Sequence, residues 1–296
     1  MGATQSSNVG FIPQVASAHI EAYFRRKMGL GKLAAIDNQL KGAPGETVTF
    51  PFWKKIGDAQ EPGENDSLEV EPLIDDKFTC TVKEIGKAVG WKDKARRVSG
   101  ASKQAADSEG MRQIGVVFAE KLDKDVIVVA NSANVAGYVG AGATDVLTVR
   151  TLLESKIKGF GDKHDESVAV AMHSLDFLNL MNDSTAGFLK ADATQPFYGS
   201  PGYQGLLLGM ALFVLDTVPQ GTDIASKKSF AHFIFKANPF GICYAQDMQP
   251  ERDRDILARE EIMSATMWYG TLSLHAKVAA DDLRVVRGYA STNVAA

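Results

Sequence analysis

The sequence predicts an α+β fold, and three observations carry that prediction. Polar and apolar residues alternate strictly at 47–52, 78–83 and 271–278, the pattern of half-buried strands. Between the early and late strand signals, one long run places apolar residues three and four apart, the pattern of an amphipathic helix. From residue 145 onward, short helix and strand signals alternate. The chain of 296 residues is 45% hydrophobic and 23% charged, enough to bury roughly three quarters of its unfolded surface. No period of about 20 to 50 residues repeats, which excludes solenoids and propellers.

Residues 1–45 join a polar start to a helical stretch at 15–28, whose Ala18 and Ala22 give only a weak apolar face, so a thinly packed arm is expected. Thr47, Val48, Thr49, Phe50, Pro51 and Phe52 then alternate, as do Phe78, Thr79, Cys80, Thr81, Val82 and Lys83. The insert between these two strands carries eight acidic residues from 57 to 76 (Asp58, Glu61, Glu64, Asp66, Glu69, Glu71, Asp75, Asp76) and no basic one. That charge run suits a solvated hairpin better than a core element.

A basic stretch follows, Lys92, Lys94, Arg96 and Arg97, with Trp91 beside it. Residues 104–131 place Met111, Ile114, Phe118, Leu122, Val126 and Val129 on one face of a helix, about 40 Å long at about 1.5 Å per residue. Ser108 or Asp107 is its expected cap, Asp123 and Asp125 are expected on a solvated face, and the glycine-rich run 137–142 ends it. Beyond it, Thr151 to Glu154 has capping-box spacing, 167–172 reads as a buried strand, and Ser174 opens a helix with Phe177, Leu178 and Met181 on one side. Residues 206–218 and 230–236 supply two further strands, and the tail at 271–278 and 283–287 closes the fold as a strand or hairpin.

Little in the chain points to chemistry. With 32 basic against 36 acidic residues the net charge is −4, which disfavours generic duplex binding. Cys80 and Cys243 belong to no CxxC pair and are expected as reduced thiols. No secretory pattern opens the chain, and the apolar run 206–215 is too short to span a bilayer, so no membrane role is expected. Gly140-Ala141-Gly142 lacks the third glycine of a dinucleotide loop, and Tyr198-Gly199-Ser200-Pro201-Gly202 misses the nucleophile elbow. The five histidines show no metal-binding spacing. His173, directly after a buried strand, is the best candidate for acid–base work, against the alternative of a histidine capping a helix start. The alternating signs of 251–261, including Asp253-Arg254-Asp255, suit a salt-bridged surface or interface. No catalytic residue, cofactor or metal site is read.

The order of the parts carries more. An arm, a hairpin from Glu46-Thr47-Val48-Thr49-Phe50-Pro51 to Lys83-Glu84-Ile85-Gly86-Lys87-Ala88-Val89, a long helix ending in Glu120-Lys121-Leu122-Asp123-Lys124-Asp125, and a tail from Asp253-Arg254-Asp255 to Leu283-Arg284-Val285-Val286-Arg287 together resemble the major capsid proteins of tailed bacteriophages. The resemblance runs over nearly the whole chain and implies the Hong Kong 97-type capsid fold. It implies an N-terminal arm at 1–45, an extended loop at 46–90, and a peripheral domain with a spine helix at 91–144. A mixed α/β axial domain at 145–250 and return strands of the peripheral domain at 251–296 would complete it.

The function so implied is a head protein assembling as pentamers and hexamers into an icosahedral shell that encloses double-stranded DNA without reading its sequence. Portal, scaffolding or decoration proteins are its expected partners, and the virion capsid, assembled in the host cytoplasm, its location. Because the arm starts almost at Met1, scaffolding is expected either on a separate chain or to be unnecessary. An encapsulin-like compartment shares the fold and is the alternative; an unrelated soluble enzyme using the mixed domain around His173 is the further one. For a shell, the intersubunit candidates are Asp58, Glu61, Glu64, Asp66 and Glu69, whose mutual repulsion keeps the loop extended. Lys92, Lys94, Arg96 and Arg97 are the positive surface available to meet them, with Arg25, Arg26, Lys27 and Lys32 of the arm as a second. Residues 56–76 contain no lysine, so a covalent loop cross-link is not expected.

Overall fold

A computed structural model describes residues 13–53, 56, 57, 59–61, 68, 70–99, 103–132, 137–139, 146–161, 166–182, 188–190, 195, 197–221, 227–274 and 284–295. In chain order the elements are α1 (Pro13–Lys27), β1 (Ala35–Asp37), β2 (Thr47–Trp53), β3 (Asp75–Thr81), β4 (Lys83–Lys92), α2 (Asp93–Ser99), α3 (Lys103–Ser132), β5 (Gly137–Val139), α4 (Val149–Phe160), β6 (Ser167–Met172), α5 (Ser174–Met181), β7 (Phe188–Lys190), β8 (Tyr203–Leu207), β9 (Met210–Val214), β10 (Lys227–Lys236), β11 (Phe240–Asp255), β12 (Glu260–Ser273) and β13 (Val285–Ala295). Among the described residues they form three sheets: the ribbon β2-β3, a four-stranded sheet β1-β11-β12-β4, and a seven-stranded sheet β5-β13-β10-β6-β9-β8-β7.

The long helix α3 is the beam of the molecule. Ile114, Phe118, Leu122, Val126 and Ala130, spaced four apart, are all buried along one face. Against them pack Ile20 and Phe24 of α1, and the helices approach closely because Gly115 has no side chain: a Cβ there would stand 2.7 Å from the Ile20 carbonyl oxygen. The arm is therefore not thin over α1. Its apolar face is Ala16, Ile20, Phe24 and Met28, not the Ala18 and Ala22 that the sequence reading chose.

Asp123 and Asp125 do not lie on a solvated face; both are buried. Two positions apart on a helix point nearly opposite ways, so each carboxylate serves a different neighbour. Asp123 accepts the backbone N–H groups of Gly29 (2.9 Å) and Gly31 (3.2 Å), fastening the turn after α1. Burial pushes its carboxyl above the ordinary range, and those N–H donors offset only part of that. Asp125 accepts from the Tyr269 hydroxyl on β12 and pairs with Lys83 of β4 at 2.7 Å and with Lys121 one turn away. Burial opposes its ionisation, but these donors together win and hold its pKa below the ordinary value.

Other local expectations shift by small steps with clear causes. The cap of α4 is Thr148, whose side chain accepts from the Thr151 N–H while the Thr151 hydroxyl accepts from the Thr148 N–H, three residues ahead of the pair expected. Asp107 is not a cap: it lies inside α3, bonded to Arg252 at 3.0 Å. The stretch 206–218 is no single strand, because Leu208 (φ +51°) and Gly209 (φ +79°) turn the chain between β8 and β9. On α5 the exposed side carries Leu178 and Met181, and the buried one Asp176, Asn179 and Leu180.

Two strands change sheet relative to the sequence reading. The expected loop ran to residue 90, yet the ribbon pairing ends at Thr81, and β4 lies in antiparallel register with β12 from Lys83↔Tyr269 to Lys92↔Glu260. Residues 251–296 were expected to return together as strands of one domain; β11 and β12 share a sheet with β4, whereas β13 joins the seven-stranded sheet, between β10 and β5. Its alternating Val285, Arg287 and Tyr289 did not reveal which sheet would receive them.

Candidate interaction surfaces

The ribbon leaves the body at a narrow base. Gly270 of β12 has no side chain, and a Cβ there would lie 2.5 Å from the Thr81 carbonyl oxygen, so β3 crosses the sheet only because position 270 is glycine. Gly241 of β11 makes similar room for the Phe50 ring, at 3.1 Å from where its Cβ would be. Around this crossing Leu40, Val48, Cys80, Val82 and Cys243 form a small buried cluster separate from the main core. The Val82 N–H donates to the Glu46 carbonyl at 2.9 Å and closes the base.

Beyond the base the ribbon has little of its own to pack against. Phe52 and Phe78 stack across the strands at 4.4 Å, and the Gly57 N–H donates to Glu71 at 2.6 Å. The large apolar residues Trp53, Ile56, Leu68, Leu73 and Ile74 are exposed, and Val70 is 91% exposed. Of the acidic candidates, Glu61 is exposed, while Asp58, Glu64, Asp66 and Glu69 lie outside the described residues. Sequence reasoning saw the acids and passed over the aliphatics interleaved with them, although 68–74 carries Leu, Val, Leu and Ile within seven positions.

The basic candidates sit at the far end of the four-stranded sheet. Lys92 ends β4, and Lys94 and Arg97 of α2 are exposed; the Arg96 side chain lies outside the described residues. The tip of the β11–β12 hairpin stands beside them, tied by the Asp93 N–H to the Arg259 carbonyl (3.0 Å) and by Arg254 to Asp93 (2.9 Å). Asp255 accepts from the Leu257 and Ala258 N–H groups and so fixes the turn. That turn presents Ile256 and Leu257, the latter 96% exposed, and Val98 of α2 is exposed as well. Two aliphatics inside the charged run 251–261 were the overlooked sequence signal. The hairpin itself is braced from below, where Arg252 bridges Asp107 of α3 and the buried Glu261.

In the seven-stranded domain, the candidate His173 caps α5: its Nδ1 accepts from the Leu175 N–H at 3.2 Å, its ring stacks on Phe230 at 3.7 Å, and its Nε2 is 3.8 Å from Asp216. Burial lowers its pKa, partly countered by Asp216. Two other titratable groups there went unremarked in the sequence. His232 is fully buried with Nε2 3.1 Å from Ser155 Oγ, and burial pushes its pKa down to about 4. Asp176 is fully buried with neither carboxyl oxygen hydrogen-bonded, and burial pushes its pKa up to about 8. A cavity of about 380 Å³ lies between α1 and β11; on its rim Arg25 pairs with Glu21, Lys41 with Asp247, and Lys32 donates to the Ser200 hydroxyl. Among the described residues, no three His, Cys, Asp or Glu cluster as a metal site would require, and no helix is long and apolar enough to cross a membrane.

The fold matches a chain of the capsid of Ralstonia phage GP4 with a TM-score of 0.71, over 99% of this chain and 95% of that one, at 11% identity. The chain has the capsid fold of tailed bacteriophages. The cyanophage Pam1 capsid protein matches 98% of this chain with a TM-score of 0.66 at 15% identity and is covered over 96% of its own length. In sequence, the chain is 28% identical over 241 residues to a major capsid protein of Staphylococcus phage phiMR11, which spans 81% of this chain and 84% of that protein. No family model matches the sequence. Among the described residues the most exposed large apolar side chains, Val70 and Leu257, lie on the ribbon and at the hairpin tip.

Proposed function

We propose that the chain is a major capsid protein, assembling as pentamers and hexamers into an icosahedral shell around packaged double-stranded DNA, with a structural and not an enzymatic role. The observation that carries this is the end-to-end agreement of fold with phage capsid proteins, joined to a relative of the same length class named a major capsid protein. His173 supports the same reading, since its lone pair is spent on a helix cap. In capsid terms, the ribbon is the extended loop, α3 with the four-stranded sheet the peripheral domain, and the seven-stranded sheet the axial domain. Portal, scaffolding or decoration proteins would be partners, and the virion its location.

The two surfaces are matched in character. The ribbon offers aliphatics among acids, and the α2 and hairpin-tip surface offers Val98, Ile256 and Leu257 among Lys92, Lys94, Arg97 and Arg254. The ribbon of one copy docks on that surface of another. Exposed ion pairs contribute only about 0.2 to 1 kcal/mol each, so the acids set orientation and salt sensitivity, and burial of the aliphatics supplies most of the affinity.

Electron microscopy and sedimentation of the expressed protein test the function. Capsomers or closed shells are expected; a monomer or a small oligomer of fixed size, with scaffolding protein supplied, overturns it, and shells filled with protein cargo instead of nucleic acid overturn the genome-enclosing part. Changing Glu61, Glu64, Asp66 and Glu69 together to lysine is expected to abolish shells and leave the subunit folded. Reversing Lys92, Lys94, Arg96 and Arg97 to glutamate in the same chain is expected to restore them in part. Normal shells from the fourfold ribbon variant refute the pairing.

A further inference from the structure

Two thiols from distant parts of the chain meet at the base of the ribbon. Cys80 lies on β3 and Cys243 on β11, and both are buried and unbridged. Cys243 is the register partner of Gly270, and directly opposed residues of an antiparallel pair share a face. The strand carrying Cys80 crosses over that same face. The point where a Gly270 Cβ would stand is 2.6 Å from Cys80 Sγ and 2.9 Å from Cys243 Sγ, so the two sulfurs flank one small gap. The Cys80 thiol is hydrogen-bonded to Cys243, which makes the two unequal. That bond and burial hold Cys80 protonated, while the same bond makes Cys243 the more acidic sulfur.

We propose that Cys80 and Cys243 form an intramolecular disulfide that pins the ribbon base to the four-stranded sheet when the protein leaves a reducing compartment. The bridge joins the ribbon to the strand beneath it at the ribbon's base, so it fixes the direction in which the ribbon projects. The surrounding cluster of Leu40, Val48 and Val82 is small and separate from the main core, so brief local opening admits an oxidant without global unfolding. With oxidised glutathione, the Cys243 thiolate attacks one glutathione sulfur, forming a mixed disulfide and releasing one glutathione. Cys80 then loses its proton and attacks the Cys243 sulfur, releasing the second. The two protein thiols give up two electrons and two protons, and one oxidised glutathione becomes two reduced molecules. The inference concerns the single chain and does not depend on shell formation.

The test uses the full chain, purified under reductant, freed of it, and incubated with oxidised glutathione. It is then denatured and alkylated with iodoacetamide, and intact mass and peptide maps are recorded. Before oxidation both cysteines take up label. Afterwards neither does, the chain remains monomeric on a non-reducing gel, and the peptides holding Cys80 and Cys243 are recovered joined, two hydrogens lighter than their sum. Limited proteolysis across 54–74 is expected to slow on oxidation and return to its first rate with dithiothreitol. Cys80→Ser and Cys243→Ala each leave the remaining cysteine unable to form the joined peptide, with circular dichroism confirming that the variant is folded. Two thiols still alkylated after oxidation of the folded chain, or cross-links found only between chains, overturn the proposal.

Discussion

Phe233, Ile234 and Phe235 on β10 are fully buried inside the seven-stranded domain, whereas Trp53, Leu73 and Ile74 along the ribbon, of the same chemical kind, face solvent. The difference comes from layers. In the seven-stranded sheet α4 and α5 pack against β13, and β10, flanked by β13 and β6, is buried on both faces over most of its length. The ribbon has two strands and one small cluster at its base, and a two-stranded hairpin cannot bury its own side chains. One region buries its apolar side chains within the chain; the other leaves its described ones in contact with water.

Substitutions separate the two regions by size of effect. Phe233→Ala is expected to destabilise the subunit by about 3 to 5 kcal/mol, because it removes a fully buried ring from a core that cannot collapse around the gap; urea unfolding of the subunit measures it. Arg252→Ala comes next, at about 3 kcal/mol, since it removes the guanidinium that bridges the buried carboxylates of Glu261 and Asp107. Arg252→Ala paired with Glu261→Gln is expected to recover part of that loss.

The third effect is a pH profile. Asp176 titrates near 8 when folded and near 4 when unfolded, so its contribution is full at low pH and is lost as pH rises toward 8. His232 titrates near 4 when folded and about 6.5 when unfolded, so its contribution is full above that value and is lost as pH falls toward 4. Between about pH 4 and 6.5 the two oppose each other, and above that range Asp176 acts alone. Asp176→Asn is therefore expected to gain a few kcal/mol at pH 8 and to unmask a loss of stability on acidification that the parent chain conceals. Melting temperatures from pH 4.5 to 8 decide it; parallel profiles for the two proteins exclude an ionisable, isolated Asp176.

At the ribbon base the effect shrinks. Gly270→Ala, with its methyl 2.5 Å from a backbone oxygen, is expected to cost about 1 to 3 kcal/mol by lifting β3, and to raise the proteolysis rate of the ribbon more than that of the body. Smallest of all, replacing Leu68, Val70, Leu73 and Ile74 together with serine is expected to leave subunit stability within about 0.5 kcal/mol, since these side chains touch little in the single chain. A large loss there would mean that the ribbon folds back on its own subunit and erase the contrast between the two regions.

The local periodicities were enough to find α3, β2, β6 and β10, because a helix face or a strand alternation is written within a dozen residues. The order of these parts, read together, was enough to place the chain among capsid folds. Partners distant in sequence were beyond its reach. Asp123 and Asp125 look like any solvated pair until α1 and β12 arrive from opposite sides; Ala18 and Ala22 look as good a helix face as Ile20 and Phe24 until α3 selects one; β13 carries no mark of the sheet that receives it. The same holds for Cys80 and Cys243, whose meeting depends on Gly270 letting one strand cross another. A single chain determines propensity and pattern locally, whereas burial, ionisation and the proximity of two sulfurs are properties of the neighbours, and the neighbours exist only once the tertiary structure has formed.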